Sequence, residues 1–513
     1  MTSAAGGQSP RAGVVPCQAT NALSEMPERE VLLRDGVALT AAAFLLRMAL
    51  VLAYGHDVPP TDDGAFYHVV AERIARGEGY TWLWPDGVVT FAAHYPVGYA
   101  ALLGAAYAVL GAHPVVALGV NAVLGAAAVF ATHRLATRVT GRAGALCAAA
   151  FVALSPTLVG YTLAIMTEGA VAAGLVLGTW FTVRCAEQAA RGSLPTREVI
   201  LIGLTLGLTT LVRPQSLLMA PVLGALAAAS PLRGATALWR RGAGAVAVTV
   251  LCLVVCAPWT IRNCSRMDRC AFVSANGGWN LLIGTFPEGE GAFVPIVEHR
   301  VPEACREVFG EAEKDACFGA AGRERIAGDP VGWLSLVPAK WRMTFDFTAS
   351  ASSYLSAAKL PWPEAVERNV STVEIGARRL LVALALFAAW RAGRSRPAPG
   401  GAWERVRHLG RGALLVGGVM SLLGAVSWFA HIAFVWLGAT VQGSLRRPVF
   451  LAAAAAVAIT LLVHAVFFGA GRYSMVLEPL LAGAAAAAWP RARRAADRGP
   501  EPAALFDTPI RTG

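Results

Sequence analysis

The chain alternates between long apolar runs and short polar breaks. Residues 143–167, 214–232 and 242–261 contain no charged side chain, and residues 412–445 and 448–471 contain one histidine each and no other ionisable group. A bilayer core takes about 20 apolar residues of helix to cross, and these stretches reach that length. The pattern predicts helical spans at about 37–54, 97–111, 114–131, 143–159, 161–183, 199–212, 215–230, 243–259, 412–438, 449–469 and 473–489. Arg47 would break the first span, and 97–111 is short enough to dip without crossing. Residues 380–390, eleven apolar positions between Arg379 and Arg391, suit an interfacial helix. The expected total is 10 to 13 membrane helices.

Composition sharpens this into a class. Of 513 residues, 56% are hydrophobic and 15% are charged, against about 25% charged in an average soluble domain. That excludes a cytosolic enzyme, a disordered chain and a small secreted disulfide domain. The two-residue alternation of an outer-membrane barrel is absent. The expected fold is an all-α polytopic membrane protein.

The net charge of +11 does not indicate nucleic-acid binding, because the basic residues sit in short loops: Arg134, Arg138 and Arg142; Arg233, Arg240 and Arg241; Arg446 and Arg447; Arg491, Arg493 and Arg494. That is the positive-inside distribution. Residues 55–95 hold six acids and two basic residues, and residues 260–375 hold 15 acids and 12 basic residues. Both are therefore expected on the outer side. The organisation read from the sequence is a cytoplasmic tail (1–34), an N-terminal transmembrane catalytic module (35–259) with outer loop 55–95, a periplasmic segment (260–375), a C-terminal transmembrane module (376–490) and a second cytoplasmic tail (491–513). Residues 1–34 lack the apolar core of a signal peptide.

Loop 55–95 carries the first candidate chemistry. Pro59 and Pro60 end the first span, Thr61 is placed to cap the next helix, and Asp62 and Asp63 fall in its first turn. Phe66, Val69, Val70 and Ile74 recur at helical spacing opposite Glu72, Arg73 and Arg76, which predicts an amphipathic helix on the membrane surface. Paired acids at a membrane face can serve as a base, a sugar contact or a metal site, or simply suit the helix start. Glu168 interrupts an otherwise charge-free stretch, and an ionisable residue there is a functional candidate or the partner of a buried arginine. Arg213, Arg262 and Arg472 map to the outer ends of spans, against the positive-inside bias, so snorkelling alone explains them poorly. Planar arginine forks suit a phosphate. His94, without an adjacent acid, reads as a structural hydrogen bonder, and Asn276-Gly277-Gly278 as a tight turn. Residues 302–347 read as helix punctuated at Asp329-Pro330, with a second amphipathic piece ending in Lys340-Trp341. The nine cysteines and nine histidines form no zinc spacing, and there is no phosphate-binding loop or dinucleotide motif. Four cysteines, Cys264, Cys270, Cys305 and Cys317, fall in the outer segment, which suggests local pairs 264–270 and 305–317.

Several blocks, in order, resemble the C-type-fold glycosyltransferases that use polyprenyl-phosphate sugars, in particular glycosyltransferase family 39, with its protein O-mannosyltransferases, and the bacterial aminoarabinose transferases. They are Asp62-Asp63 with Phe66-Tyr67, Ala71 and Gly77–Tyr80; His94-Tyr95-Pro96; Ser155-Pro156; Met166-Thr167-Glu168; Arg213-Pro214; Pro258-Trp259 with Arg262-Asn263; Ser274–Gly284; and Gly471-Arg472-Tyr473. The family more usually has Glu at the position of Asp63. The resemblance implies an inverting transferase. A carboxylate, with Asp62 preferred over Asp63, deprotonates the acceptor. Arg213, Arg262, Arg472 and Tyr473 hold the lipid phosphate, and Tyr67, His94, Glu168 and Asn276 contact substrate. The implied partners are a polyprenyl-phosphate sugar, an acceptor lipid, glycan or protein, and membrane lipids. The implied location is the inner membrane with an outward-facing site. No cofactor is implied; a divalent ion between the two acids is compatible with the pattern and not demanded by it. Rival readings are a polysaccharide polymerase or ligase with its chemistry in a later loop, or a transporter. A transporter would show charges at mid-membrane and an inverted repeat.

Overall fold

The computed structural model describes residues 18–190, 195–228, 235–358, 364–393, 402–441 and 446–489; Arg233 and the basic tail at Arg491, Arg493 and Arg494 lie outside them. The described chain is almost wholly helical. Its N-terminal half runs α1 (Gln18–Tyr54), α2 (Asp63–Ala75), the hairpin strands β1 (Thr81–Leu83) and β2 (Val89–Phe91), α3 (Val97–Leu110), α4 (Pro114–Ala136), α5 (Arg142–Leu154), α6 (Pro156–Gly160), α7 (Glu168–Ala190), α8 (Thr196–Val212), α9 (Met219–Ala227) and α10 (Ala235–Arg266). Next come α11 (Gly277–Ile283), α12 (Glu311–Gly328), α13 (Pro330–Ser335), α14 (Val337–Phe345) and α15 (Ser350–Ala357). The chain closes with α16 (Glu364–Ala392), α17 (Ala402–Ser421), α18 (Trp428–Ala439), α19 (Arg446–Val466), α20 (Arg472–Met475) and α21 (Glu478–Ala485).

The all-α expectation holds, and the protein is a multi-pass membrane protein. Among the described residues five helices are long and apolar enough to cross a bilayer: the Glu30–Tyr54 part of α1, α4, α7, α10 and α19. A sixth is counted if the bent pair Arg142–Leu154 and Pro156–Leu163 is one span. The remaining apolar runs fold as shorter pieces, such as α3, Pro214–Ala227 and α18, which is why a count of runs gave 10 to 13.

Boundaries drawn from charge at 34, 259 and 375 each fall inside a helix, in α1, α10 and α16. Charge marks where the bilayer ends, whereas backbone hydrogen bonding continues past it. Residues 380–390 are thus the end of the 29-residue α16, and Leu381, Ala385, Leu386, Ala388 and Ala389 are buried in the bundle rather than laid on its surface.

Arg47 does not break α1. It is fully buried, and its guanidinium donates to the carbonyls of Val152 and Ala153 at 3.1 Å each. Those carbonyls end α5, where Pro156 prevents the helix from continuing and leaves its last acceptors without intrahelical partners. A cation at a helix C-terminus satisfies both the acceptors and the dipole.

The amphipathic α2 also departs from expectation. It packs between α3 and the aromatic loop rather than lying free: a side chain at Gly104 of α3 would meet Ile74 Cγ2 at 2.7 Å. Thr61 does not cap it. The Thr61 hydroxyl donates to Pro59 O, and Asp62 occupies the cap position with φ 50° and no side-chain cap bond.

The two acidic segments pack against each other and so share one side of the membrane. Ala275 N donates to Ala93 O at 2.7 Å, Ala93 N to Glu311 Oε2 at 2.9 Å, and Thr61 N to Tyr354 Oη at 3.3 Å.

Candidate active site

Four elements that are distant in sequence bring their charged ends together. Asp63 opens α2, Glu168 opens α7, Arg213 follows α8 and Arg472 opens α20. Helix starts favour acids, and local breakers flank three of these elements: Pro59-Pro60 before α2, Pro214 after Arg213, and Gly469 with Gly471 before α20.

The contacts form a chain. Tyr95 Oη donates to Asp63 Oδ1 at 2.7 Å. Arg472 Nη2 lies 2.9 Å from Asp63 Oδ2, and Arg472 Nε lies 3.7 Å from Glu168 Oε1. Arg213 Nη2 donates to the same Glu168 oxygen at 2.7 Å and to Thr167 Oγ1 at 2.9 Å. Both guanidiniums sit on Tyr473, with Arg213 5.1 Å and Arg472 5.2 Å from the ring centroid. Tyr473 also stacks on His464 at 4.5 Å and 10°.

The two acids and two arginines balance in charge, yet binding capacity remains. Glu168 is fully buried and its Oε2 has no hydrogen-bond partner among the described residues. A buried carboxylate oxygen without a donor is costly, and a ligand hydroxyl would satisfy it. Among the described residues Arg213 spends only Nη2, on Glu168 and Thr167, which leaves its other N–H groups to meet an anion. Arg213, Tyr473 and His464 line one end of a narrow slot whose walls include Leu175, Ile459 and Val463. A charged head with an apolar slot beside it is shaped for an amphiphile with an anionic head.

Asp62 and Asp63 stand in opposite circumstances. Burial would raise the Asp63 carboxyl, but Arg472, the Tyr95 hydrogen bond and Arg213 together hold it below the usual carboxylate range. Burial and the Asp63 charge push Tyr95 up, so the shared proton stays on the phenol. Asp62 is exposed and makes no side-chain hydrogen bond or ion pair among the described residues. Its positive φ lies outside the region L residues favour.

Other expected site residues are placed differently. Arg262 does not join the cluster. It donates to Ala92 O and Tyr80 O at 2.8 Å each and lies 4.6 Å from the Trp259 ring centroid, so it clamps the base of the hairpin. Its helix continues past the point where composition predicted an end, carrying the guanidinium to the loop instead of the cavity. Tyr67 is buried edge-on against Tyr99 and packs against Tyr95, behind Asp63. His94 packs against Tyr95 and Trp279; burial holds it neutral, down to about 4. Asn276 is the cap of α11 rather than part of a tight turn, and its Oδ1 accepts from Ser274 at 3.0 Å. Cys264–Cys270 and Cys305–Cys317 are joined as disulfides. No group of three or more His, Cys, Asp or Glu side chains in the described residues is arranged to share a metal ion, and both Asp63 oxygens are already engaged.

The sequence reading gave no role to three side chains that the fold uses. Tyr95 orients Asp63, and Tyr354 holds the Thr61 backbone through its hydroxyl. Glu478, inside an apolar run, accepts from Ser155 Oγ at 2.6 Å and lies 3.6 Å from Arg378. The rule that flagged Glu168 applies equally to Glu478.

Residues 94–261 match the family model described as dolichyl-phosphate-mannose-protein mannosyltransferase. No curated protein matches the chain. Among solved structures, the chain is similar to the Archaeoglobus fulgidus oligosaccharyltransferase tethered with an acceptor peptide, at 12% identity and TM-score 0.45, covering 88% of this chain and 49% of that one. The same organism's enzyme AglB, in complex with an inhibitory peptide and a dolichol-phosphate, gives 13% identity and TM-score 0.43, with 88% and 50% covered. ArnT from Cupriavidus metallidurans, bound to undecaprenyl phosphate, gives 17% identity and TM-score 0.34, with 88% and 76% covered. The chain spans about half the length of the two oligosaccharyltransferase structures.

Proposed function

We propose that this protein is an integral-membrane, inverting glycosyltransferase of the C-type fold, transferring a hexosyl or pentosyl group from a polyprenyl-phosphate donor to an acceptor at the outer face of the inner membrane. The observation that carries the reading is the Asp63–Arg472–Glu168–Arg213 chain at the polar end of an apolar slot. The family match over 94–261 agrees with it.

The polyprenyl chain would lie in the slot and its phosphate against Arg213 and Arg472, whose N–H groups neutralise the charge that grows as the lipid phosphate leaves. Glu168 Oε2 would accept a hydroxyl of the donor sugar. Asp62, exposed and unpaired, takes the proton from the acceptor as that group attacks the anomeric carbon, while Asp63, locked by Tyr95 and Arg472, fixes the turn that presents Asp62. Inversion follows from a single displacement with no covalent sugar–enzyme intermediate.

A strain lacking the protein tests this. Mass spectrometry should show a polyprenyl-phosphate sugar accumulating and one envelope glycan, lipid or glycoprotein losing that sugar, both restored by the wild-type chain. Unchanged lipid-linked sugars and unchanged acceptors would remove the proposal.

A further inference from the structure

The β1–β2 hairpin has a face whose apolar side chains the described part of the chain covers only in part. Its register pairs Thr81 with Phe91, Trp82 with Thr90 and Leu83 with Val89. Side chains alternate across a strand, so Leu83, Val89 and Phe91 share one face with Thr81, and Trp82 and Thr90 share the other. On the second face Trp82 stacks on Phe66 at 5.0 Å and 15°, whereas Trp84, whose Nε1 donates to Thr90 Oγ1 at 2.9 Å, is itself 49% exposed. On the first, Thr81 is buried and accepts from Arg73, but Leu83 is 49%, Val89 52% and Phe91 44% exposed. A half-covered antiparallel ribbon in water turns its polar side outward, and two strands alone are marginal at best. Here the outward side is apolar.

What lies next to this face identifies its partner. Phe91 sits under Arg266 and Arg262, 5.1 and 5.3 Å from their guanidinium carbons, at the end of α10. On α10, one of the helices of spanning length, Val246, Val250, Val254 and Ile261 are exposed apolar positions. The first three recur every fourth residue, the stripe a spanning helix turns to lipid. Trp259 and Arg262 follow where aromatic and basic side chains meet the headgroups. The hairpin is clamped at this level by Arg262 through Tyr80 O and Ala92 O. We propose that the face formed by Leu83, Val89 and Phe91 is seated in the headgroup–acyl boundary at the membrane face where α10 ends, continuing the lipid-facing stripe of α10 onto the loop. The partner is a lipid surface, and the inference stands independently of the transferase reading.

Depth-dependent quenching tests it. The full chain, with Cys17 and Cys147 replaced by serine, would carry a single environment-sensitive fluorophore on Val89→Cys, Leu83→Cys or, as the exposed control on α12, Glu313→Cys. Each variant is checked by its elution profile and reconstituted in phosphatidylcholine vesicles with or without a nitroxide-labelled acyl chain. Two hairpin sites keep the test available if one substitution fails to fold. A face seated at the acyl boundary should show about a twofold loss of emission with the labelled lipid, while Glu313→Cys is unaffected. No loss at either hairpin site, or an equal loss at Glu313→Cys, overturns the proposal.

Discussion

Arg472 is the residue through which the two acids communicate, since it reaches Asp63 with Nη2 and Glu168 with Nε. A lysine is a point donor and cannot span both. Arg472→Lys should therefore weaken donor binding about tenfold or more, the scale of one charge-assisted hydrogen bond. Titration of purified protein with polyprenyl phosphate measures this, and unchanged affinity would remove Arg472 from the phosphate site. The Asp63 ion pair has a pH signature. Because its carboxyl is depressed in the folded state, its contribution is complete above the unfolded value of about 3.9 and is lost as pH falls through the lower folded value. The melting difference between wild type and Asp63→Asn should be constant from about pH 5 to 8 and should shrink in stronger acid. Asp63→Glu, the length more usual in the resembling family, should keep substantial activity. At this scale Glu168, Arg213 and Arg472 could be read from charges placed where charge is expensive. Arg262 could not, because a guanidinium at a span end looks the same in sequence whether it faces a cavity or a loop carbonyl. Tyr95 was hidden for a different reason: an aromatic beside an apolar run carries no charge signal.

Helix junctions carry the geometry, and glycine controls several of them. Gly278 lets α11 approach α12 so closely that an added Cβ would lie 1.8 Å from Asp315 O, and Trp279 N donates to the Asp315 carboxylate at 2.9 Å. In an open helix Gly→Ala gains up to about 1 kcal/mol. Here a backbone oxygen blocks the methyl, and overpacking costs about 1–3 kcal/mol, so the clash wins. Gly278→Ala should lower the apparent melting temperature in detergent; an unchanged or raised value would show that the two helices are not in this register. Element type was legible from apolar length throughout. Element ends were not, because α1, α10 and α16 continue as helices beyond their apolar windows. Residues 276–278 misled for a related reason: glycines chosen for close approach resemble glycines chosen for a turn.

At the scale of the whole molecule, loop 55–95 and segment 260–375 form one body, joined through Ala93, Glu311, Arg262 and Tyr354. Asp86→Cys and Glu313→Cys, both at exposed positions, should accordingly label together with a membrane-impermeant maleimide in intact cells, and protection of either until lysis would contradict an outward site. The central claim, transfer from a polyprenyl-phosphate sugar with Asp62 as base, is tested most directly in vitro. Purified wild type and Asp62→Asn, matched in elution profile and donor binding, are incubated with polyprenyl-phosphate sugars and envelope membranes from the deletion strain. The account predicts that wild type converts the donor to free polyprenyl phosphate with sugar appearing on an acceptor, and that Asp62→Asn binds donor but does neither. No conversion of any hexosyl or pentosyl donor by wild type would contradict the function, and full turnover by Asp62→Asn would contradict the mechanism.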